Sequence, residues 1–442
     1  MTLFDGQRLV PEVFAIDPRM ALGRYTDQYF INAARILARL ADEGYRFAGR
    51  SPAVEAAGLD LAGFDVGSAE VEMQCFTKRR PFSIACGTDH AVAILKQCTG
   101  YVDASGTFHN TSSALEVEAV QDGASLSPWH PALKIRGRYR DFAMLETPLL
   151  GVLARPTRLA TNTYEALMAS GGKPVFFFPA RFDLPATQSA DGYAYKVGVD
   201  AYNHAHGTAV PVMVTTEAQG EWWGGTGGGT VPHAFVIAFL HDVAEAMRHF
   251  ARCMPTAVKR VALVDTRGDC VADTRRTALA MFRRWWDLRR AGRADEAERY
   301  VLFGVRADTA EDVRDASVEP TGDPARDCGV VPRLIRNIRA ALDELHASPE
   351  VPAEARPAAR EYFRSVRIVA SGGFEPGRIA RFEREGAPVD VYGVGSYFLR
   401  GPTTDFTADV VRVKVEGRWM DLAKKGRRPV ANPDLEAVTM ED

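Results

Sequence analysis

The chain is poor in several features that would have fixed its class at once. Its 442 residues hold six cysteines, Cys75, Cys86, Cys98, Cys253, Cys270 and Cys328, and no two form a CxxC pair. That spacing argues against a structural zinc site and a disulfide framework, and the thiols read as reduced ones in a cytoplasm. No apolar run reaches the ~18 residues that a spanning helix needs. The opening MTLFDGQRLVPEVF has an early acid and no apolar core before a cleavage site, so it does not read as a secretory signal. Basic charge is not in excess: a net charge of −3 supplies no field for nucleic acid or an anionic membrane. There is no internal repeat. The arginine-rich stretch FRRWWDLRRAGRADEAERY carries acids at helical spacing and reads as a solvated outer helix.

What is there is an ordinary globular balance, long enough for a barrel of ~250 residues plus a second domain. Residues 1–145 read as α+β. Asp27 is placed to cap a helix carrying Ile31, Ala34, Ile36, Leu37 and Leu40. VEMQCFTKR alternates like a half-buried strand, Asp89–Gln97 is helical, and short strands follow with turns at Asp122-Gly123 and Ser127-Pro128. From 146 to 400 the texture changes. A long helical stretch interrupted near Pro156 leads to short apolar strands at PVFFF, VPVMVTT, VALV and VLFGV. Helices are expected at Phe235–Cys253, Ala278–Arg290 and Arg333–His346, and PEVPAEARPAAR reads as an exposed connector. Strands alternating with helices imply a parallel sheet covered by helices, here an irregular β/α barrel. Residues 401–442 alternate like a hairpin and are expected to pack back on the N-terminal domain. The expected fold class is therefore α/β with α+β.

The most informative stretch is Val366–Phe398. Arg367–Ala370 reads as a buried strand followed by Ser371-Gly372-Gly373. Pro376 fits a first helical turn, and Gly386 fits its end. Val389–Tyr392 reads as a second buried strand, followed by Gly393-Val394-Gly395-Ser396. Two parallel strands thus end in glycine loops at one sheet edge, where backbone N–H groups and a helix N-terminus favour an anion. In a β/α barrel the loops after the last strands hold phosphate.

Other strand ends supply Phe178 and Arg181, Asp265 and Asp269, and Arg306 and Asp308. Two arginines suit phosphate or carboxylate, and three carboxylates suit Mg²⁺ beside a diphosphate. The glycine run Gly224–Gly229 precedes His233, a candidate acid/base or phosphoryl acceptor at a helix start.

Taken together, these motifs resemble nicotinate phosphoribosyltransferase, of the type II phosphoribosyltransferase fold, most closely the shorter archaeal and bacterial type. The resemblance covers most of the chain. It rests on Gly23 with Thr26-Asp27-Gln28-Tyr29-Phe30, Glu146-Thr147-Pro148-Leu149-Leu150-Gly151, Phe178 with Arg181, and Gly229-Thr230-Val231-Pro232-His233-Ala234. Asp265-Thr266 with Asp269, Arg306 with Asp308, and the two glycine loops complete it.

It implies that nicotinate attacks C1 of phosphoribosyl diphosphate, with ATP as co-substrate and Mg²⁺ as cofactor. Tyr29, from a neighbouring subunit, and Phe178 would sandwich the ring, and Arg181 or Arg306 would meet its carboxylate. His233, Asp265, Arg306 and Asp308 would be catalytic. Asp265, Asp269 and Asp308 would hold the metal. Ser371, Gly372, Gly373, Gly393, Gly395 and Ser396 would hold the 5′-phosphate. It also implies a cytoplasmic homodimer or higher oligomer. The sequence departs from the family pattern at Asp308-Thr309-Ala310. Asp200 matches a position that contacts the base in the nicotinamide relative, so a nicotinamide phosphoribosyltransferase remains an alternative, as does a non-catalytic phosphoribosyl-ligand binding protein.

Overall fold

The computed structural model describes residues 8–441. Along the chain run helix α1 (Gln28–Asp42), strand β1 (Glu70–Thr77), helix α2 (Thr88–Cys98), and strands β2 (Glu116–Ala119) and β3 (Pro131–Arg138). Helix α3 (Glu146–Ser170), strand β4 (Val175–Phe177), and helices α4 (Gln188–His206), α5 (His233–Ala238) and α6 (Val243–Cys253) follow. Next come β5 (Arg260–Leu263), α7 (Cys270–Arg290), β6 (Leu302–Ala307), α8 (Pro332–Glu344), α9 (Arg356–Ser365), β7 (Arg367–Ala370), α10 (Pro376–Arg384) and β8 (Val391–Val394). The last strands are β9 (Phe406–Val415), β10 (Arg418–Asp421) and β11 (Glu436–Val438).

The chain divides into two compact units. The first comprises everything up to Tyr164, Tyr193–Gly207, and the chain from Arg400 onward; the second comprises Glu165–Gly192 and Thr208–Leu399. Unit 1 is built on an antiparallel sheet of order β10-β9-β1-β3-β2-β11. The tail strand β9 therefore lies directly beside β1, with Val71 opposite Val413 and Thr77 opposite Phe406. Alternate residues of these strands, Met73, Cys75, Leu133, Ile135 and Val117, pack against Ile94 and Leu95 of α2 and Leu149 and Leu153 of α3. Glu72 is fully buried in this sheet and is held by Arg136 (2.8 Å) and Arg412 (3.3 Å).

Unit 2 is built on a parallel sheet of order β4-β8-β7-β6-β5. Its first and last strands, β4 and β8, are neighbours, as in a ring. Val214 adds one parallel bridge to Phe177 on the other side of β4. Among the described residues no ladder joins that segment to β5, so the ring is open there. Phe176, Val261, Val369 and Val391, one from each of four strands, form an apolar cluster joined by Met213 and Phe303. Helices carry the outer core, with Phe282, Ile335, Ile338 and Phe363 buried. Among the described residues no helix is long and apolar enough to cross a membrane.

Several expected elements are corrected. Pro156 does not interrupt α3. A proline there withholds the N–H that Val152 O would accept. That carbonyl lies against Gly87, where a Cβ would come within 1.9 Å of it and where φ is +93°. The helix expected over Phe235–Cys253 is two, α5 and α6. Leu240 and His241 take left-handed φ of 52° and 65°, and Asp242 starts α6 afresh by accepting from Glu245 N–H (3.0 Å). The segment VPVMVTT forms no named strand among the described residues; it meets β4 through the Val214 bridge and the Phe177 N–H, which donates to Met213 O at 3.0 Å. The connector before Val366 is partly helical, since α9 begins at Arg356. Asp27 stands at the N-cap position of α1, but its side chain makes no cap bond and accepts from Thr147 Oγ1 at 2.9 Å instead.

Candidate active site

Strand register decides which side chains share the inner face of unit 2. Arg306 stands opposite Leu263 and Val369, Val369 opposite Val391, and Gly393 opposite Phe176. Side chains alternate along a strand, so Arg306, Ser371, Gly393 and Phe178 share the side of the Phe176–Val261–Val369–Val391 cluster. Arg306 owes its place to a bulge. The register shifts between Leu302 and Gly304, leaving Phe303 as the extra residue. Simple alternation from Leu302 would have turned Arg306 outward. Its guanidinium carbon lies 5.8 Å from the centre of the Phe178 ring, and its Nε is buried without a hydrogen-bond partner. Phe178 in turn lies on Gly393, where a Cβ would meet Phe178 Cε2 at 2.7 Å and Ser371 Cβ at 3.0 Å. Only glycine leaves that space to the ring.

The same rim carries a histidine–carboxylate pair. His233 is the first residue of α5, after the Gly224–Gly229 run, and its Nε2 is 2.8 Å from Asp265 Oδ2. The Asp265 side chain is 7% exposed and that of His233 42%, so the acid is fixed while the ring faces out. Burial raises the Asp265 pKa; the hydrogen bond and charge of His233 oppose this, and the nearby charge of Asp308 adds to it. Asp265 Oδ1 is buried with no partner. Asp308 follows β6, and its Oδ1 accepts from Ser371 Oγ at 2.8 Å.

The first glycine loop leaves the C-terminal end of β7, but the second is corrected: the strand expected over Val389–Tyr392 runs Val391–Val394, so Gly393 and Val394 pair within β8 and only Gly395 and Ser396 follow it. Gly372 and Gly373 have φ of 96° and 67°. Both are exposed, and among the described residues their N–H groups donate to nothing. Helix α10 begins at Pro376, so its positive end faces the same loop. At the second loop a Cβ on Gly395 would lie 2.7 Å from Phe182 Cε2.

A profile of the family described as Quinolinate phosphoribosyl transferase, N-terminal domain, matches residues 60–157. A nicotinate phosphoribosyltransferase of Mycobacterium tuberculosis is 24% identical over 312 residues, which span 67% of this chain and 54% of that protein. The chain thus matches about half the length of that curated relative. Among solved structures, nicotinate-nucleotide pyrophosphorylase from Pyrococcus furiosus superposes with TM-score 0.61 at 23% identity, over 96% of this chain and 84% of the other. Human nicotinic acid phosphoribosyltransferase superposes with TM-score 0.56 at 18% identity, over 88% and 75% of the two chains. At these identities the two structures speak for the fold. The chain thus has the fold of these two proteins, and its residues 60–157 match a phosphoribosyl transferase N-terminal domain.

Unit 2 holds His233, Asp265, Arg306, Asp308, Phe178 and the glycines of both motifs. Arg181 is exposed beyond β4, with its guanidinium carbon 5.6 Å from the Phe182 ring centre. Asp269 is engaged as the cap of α7, where its Oδ1 accepts from Ala272 N–H at 2.9 Å. Among the described residues no cluster of three or more His, Cys, Asp and Glu is arranged around a metal position. Tyr29 and Asp200 belong to unit 1. Tyr29 is 64% exposed on α1, and Asp200 is paired with Lys196 one helical turn before it. Two features escaped the reading of the sequence. The Ser371–Asp308 bond links two motifs that the sequence keeps 63 residues apart. Arg378 lies behind the first glycine loop, and its only sequence signal is a position one turn into α10.

Proposed function

We propose that this protein transfers the phosphoribosyl group of phosphoribosyl diphosphate to the ring nitrogen of nicotinate, coupled to ATP hydrolysis. The observation that carries this reading is one rim holding a His–Asp pair, a buried guanidinium over an aromatic ring, and unpaired backbone amides.

The roles follow from chemistry. The free amides of Gly372 and Gly373, with the N-terminus of α10, suit the dianionic 5′-phosphate. Anchoring that end holds C1 where the pyridine nitrogen can reach it. Phe178 offers a face to the flat ring, and Arg306 beside it offers a cation to the ring carboxylate. The nitrogen lone pair forms the new bond to C1 as the C1–O bond breaks and its electron pair leaves with diphosphate. Asp265 and Asp308 fit Mg²⁺, which commonly takes one or two carboxylates plus substrate phosphates, and the unpaired Asp265 Oδ1 is a ready donor. Bound there, Mg²⁺ would neutralise charge building on the leaving diphosphate. Asp269, spent on its helix cap, is left out of that set.

With Nε2 bonded to Asp265, the nitrogen open to chemistry at His233 is Nδ1. It would attack the γ-phosphorus of ATP, forming an N–P bond as ADP leaves, while Asp265 stabilises the charge on the ring. Water later returns the phosphoryl group as phosphate.

The test is a product assay with nicotinate, nicotinamide or quinolinate, each with phosphoribosyl diphosphate and Mg²⁺, with and without ATP. Mononucleotide from nicotinate, enhanced by ATP, is expected. Product from nicotinamide or quinolinate alone would overturn the assignment, and no product from any base would leave a binding protein.

A further inference from the structure

Arg378 was given no role above, yet the first glycine loop is built around it. It lies one turn into α10, with its guanidinium carbon 4.6 Å from the Phe374 ring centre and 5.9 Å from that of Phe382. Both rings are buried, at 2% and 1% exposure. Nη1 donates to Gly372 O at 2.5 Å, and Nη2 donates to Val330 O at 2.7 Å. One planar head therefore ties the loop after β7 to the segment leading into α8. Packing against the head is close: a Cβ on Gly373 would stand 3.3 Å from Nη1, and one on Gly329 would stand 3.8 Å from Nη2.

The consequence concerns peptide direction. Fixing the Gly372 carbonyl toward Arg378 fixes the peptide plane that also carries the Gly373 N–H, which is held anti to that carbonyl. The carbonyl is thus turned to the guanidinium while the Gly373 amide, without a partner among the described residues, is turned away from it. A loop with two left-handed glycines has many other conformations open to it, and most would scatter these donors. A lysine could not reproduce the arrangement, because one ammonium lacks the planar fork that reaches two carbonyls at once.

We propose that Arg378 is a positioning residue for phosphate recognition: without touching substrate, it holds the Ser371–Phe374 loop with its amides presented to the 5′-phosphate of the phosphoribosyl donor. The inference rests on the reading of this rim as a phosphoribosyltransferase site. Its effect belongs to donor binding and not to the chemical step.

Arg378→Ala and Arg378→Lys separate this role from a merely structural one. In Arg378→Ala, KM for phosphoribosyl diphosphate is expected to rise about tenfold, as for a lost charged hydrogen-bond pair, with kcat and the KM for nicotinate little changed. Arg378→Lys should fall between. Ribose 5-phosphate, titrated by calorimetry as a probe of the phosphate end alone, should weaken in parallel. Arg378→Lys, which keeps the charge and the stem, serves if Arg378→Ala does not fold. Loss of kcat at unchanged donor KM, or unchanged ribose 5-phosphate affinity in Arg378→Ala and Arg378→Lys, would overturn the proposal. Wild-type protein that neither turns over nor binds phosphoribosyl diphosphate would instead overturn the underlying activity.

Discussion

At His233 one hydrogen bond sorts two equivalent-looking nitrogens into different jobs. Asp265 takes Nε2, which leaves Nδ1 for the phosphoryl transfer proposed above. Replacing His233 with Ala should abolish ATP stimulation of mononucleotide formation while sparing most ATP-independent turnover; equal stimulation in the variant would refute the role.

A second residue makes a prediction about pH. Asp122 in unit 1 is buried, accepts from Thr88 N–H (2.8 Å) and Oγ1 (2.7 Å), and lies near Asp89 and Tyr193. Burial, with the Asp89 charge, lifts its pKa from 3.8 to about 7. The folded chain then keeps a proton that the unfolded chain releases. This group's contribution to stability is full below the unfolded value and is lost as pH rises through 7. Asp122→Asn, neutral at every pH, should melt progressively higher relative to wild type between pH 5 and pH 8, by about 3 °C or more. A constant difference across that range would count against it.

Elements show what could be read in advance and what could not. Arg367–Ala370 was legible because a β-branched run ended by Ser-Gly-Gly has few other uses, and β7 has those bounds. Gly386, with φ of +63°, follows α10 as expected. The strands carrying Asp265 and Arg306 were legible as apolar runs. The break at Leu240–His241 was not, because neither glycine nor proline marks its left-handed turn. The bulge at Phe303 was equally silent: no residue type announces one, yet it decides which way Arg306 points. The pairing of Asp308 with Ser371 was hidden because adjacency in a parallel sheet is bought with a long crossover. Beside these, Gly393 is a glycine whose reason is steric. Gly393→Ala would force Phe178 aside, at a cost of about 1–3 kcal/mol of stability. A higher KM for the pyridine substrate should accompany it, measured by thermal melting and steady-state kinetics; an unchanged melting temperature would show the ring has room.

On the scale of the whole molecule, unit 1 is stitched from the two ends of the chain. The tail strand β9 pairs with β1 along most of its length, and the tail adds Phe406 and Met440 to the core and Arg412 to the pocket around Glu72. A chain ending before Phe406 would leave Glu72 without Arg412 and β1 with an open edge. It should lose the cooperative melting of unit 1, seen as lost strand signal in circular dichroism. A sharp transition of unchanged amplitude would mean the tail is dispensable.

The neighbouring of β4 and β8 has a consequence for synthesis. Their sequence positions differ by 214 residues from Phe177 to Val391, which a ribosome adds in roughly 10–40 s. Through that interval Phe176 and Phe178 belong to a nascent polypeptide whose adjoining strand does not yet exist. Unit 1 waits longer still, since β9, one of the two partners of β1, is translated after β8. Neither half can mature early, so prematurely released fragments would carry bare strand edges and sticky aromatic surface, the natural clients of a chaperone.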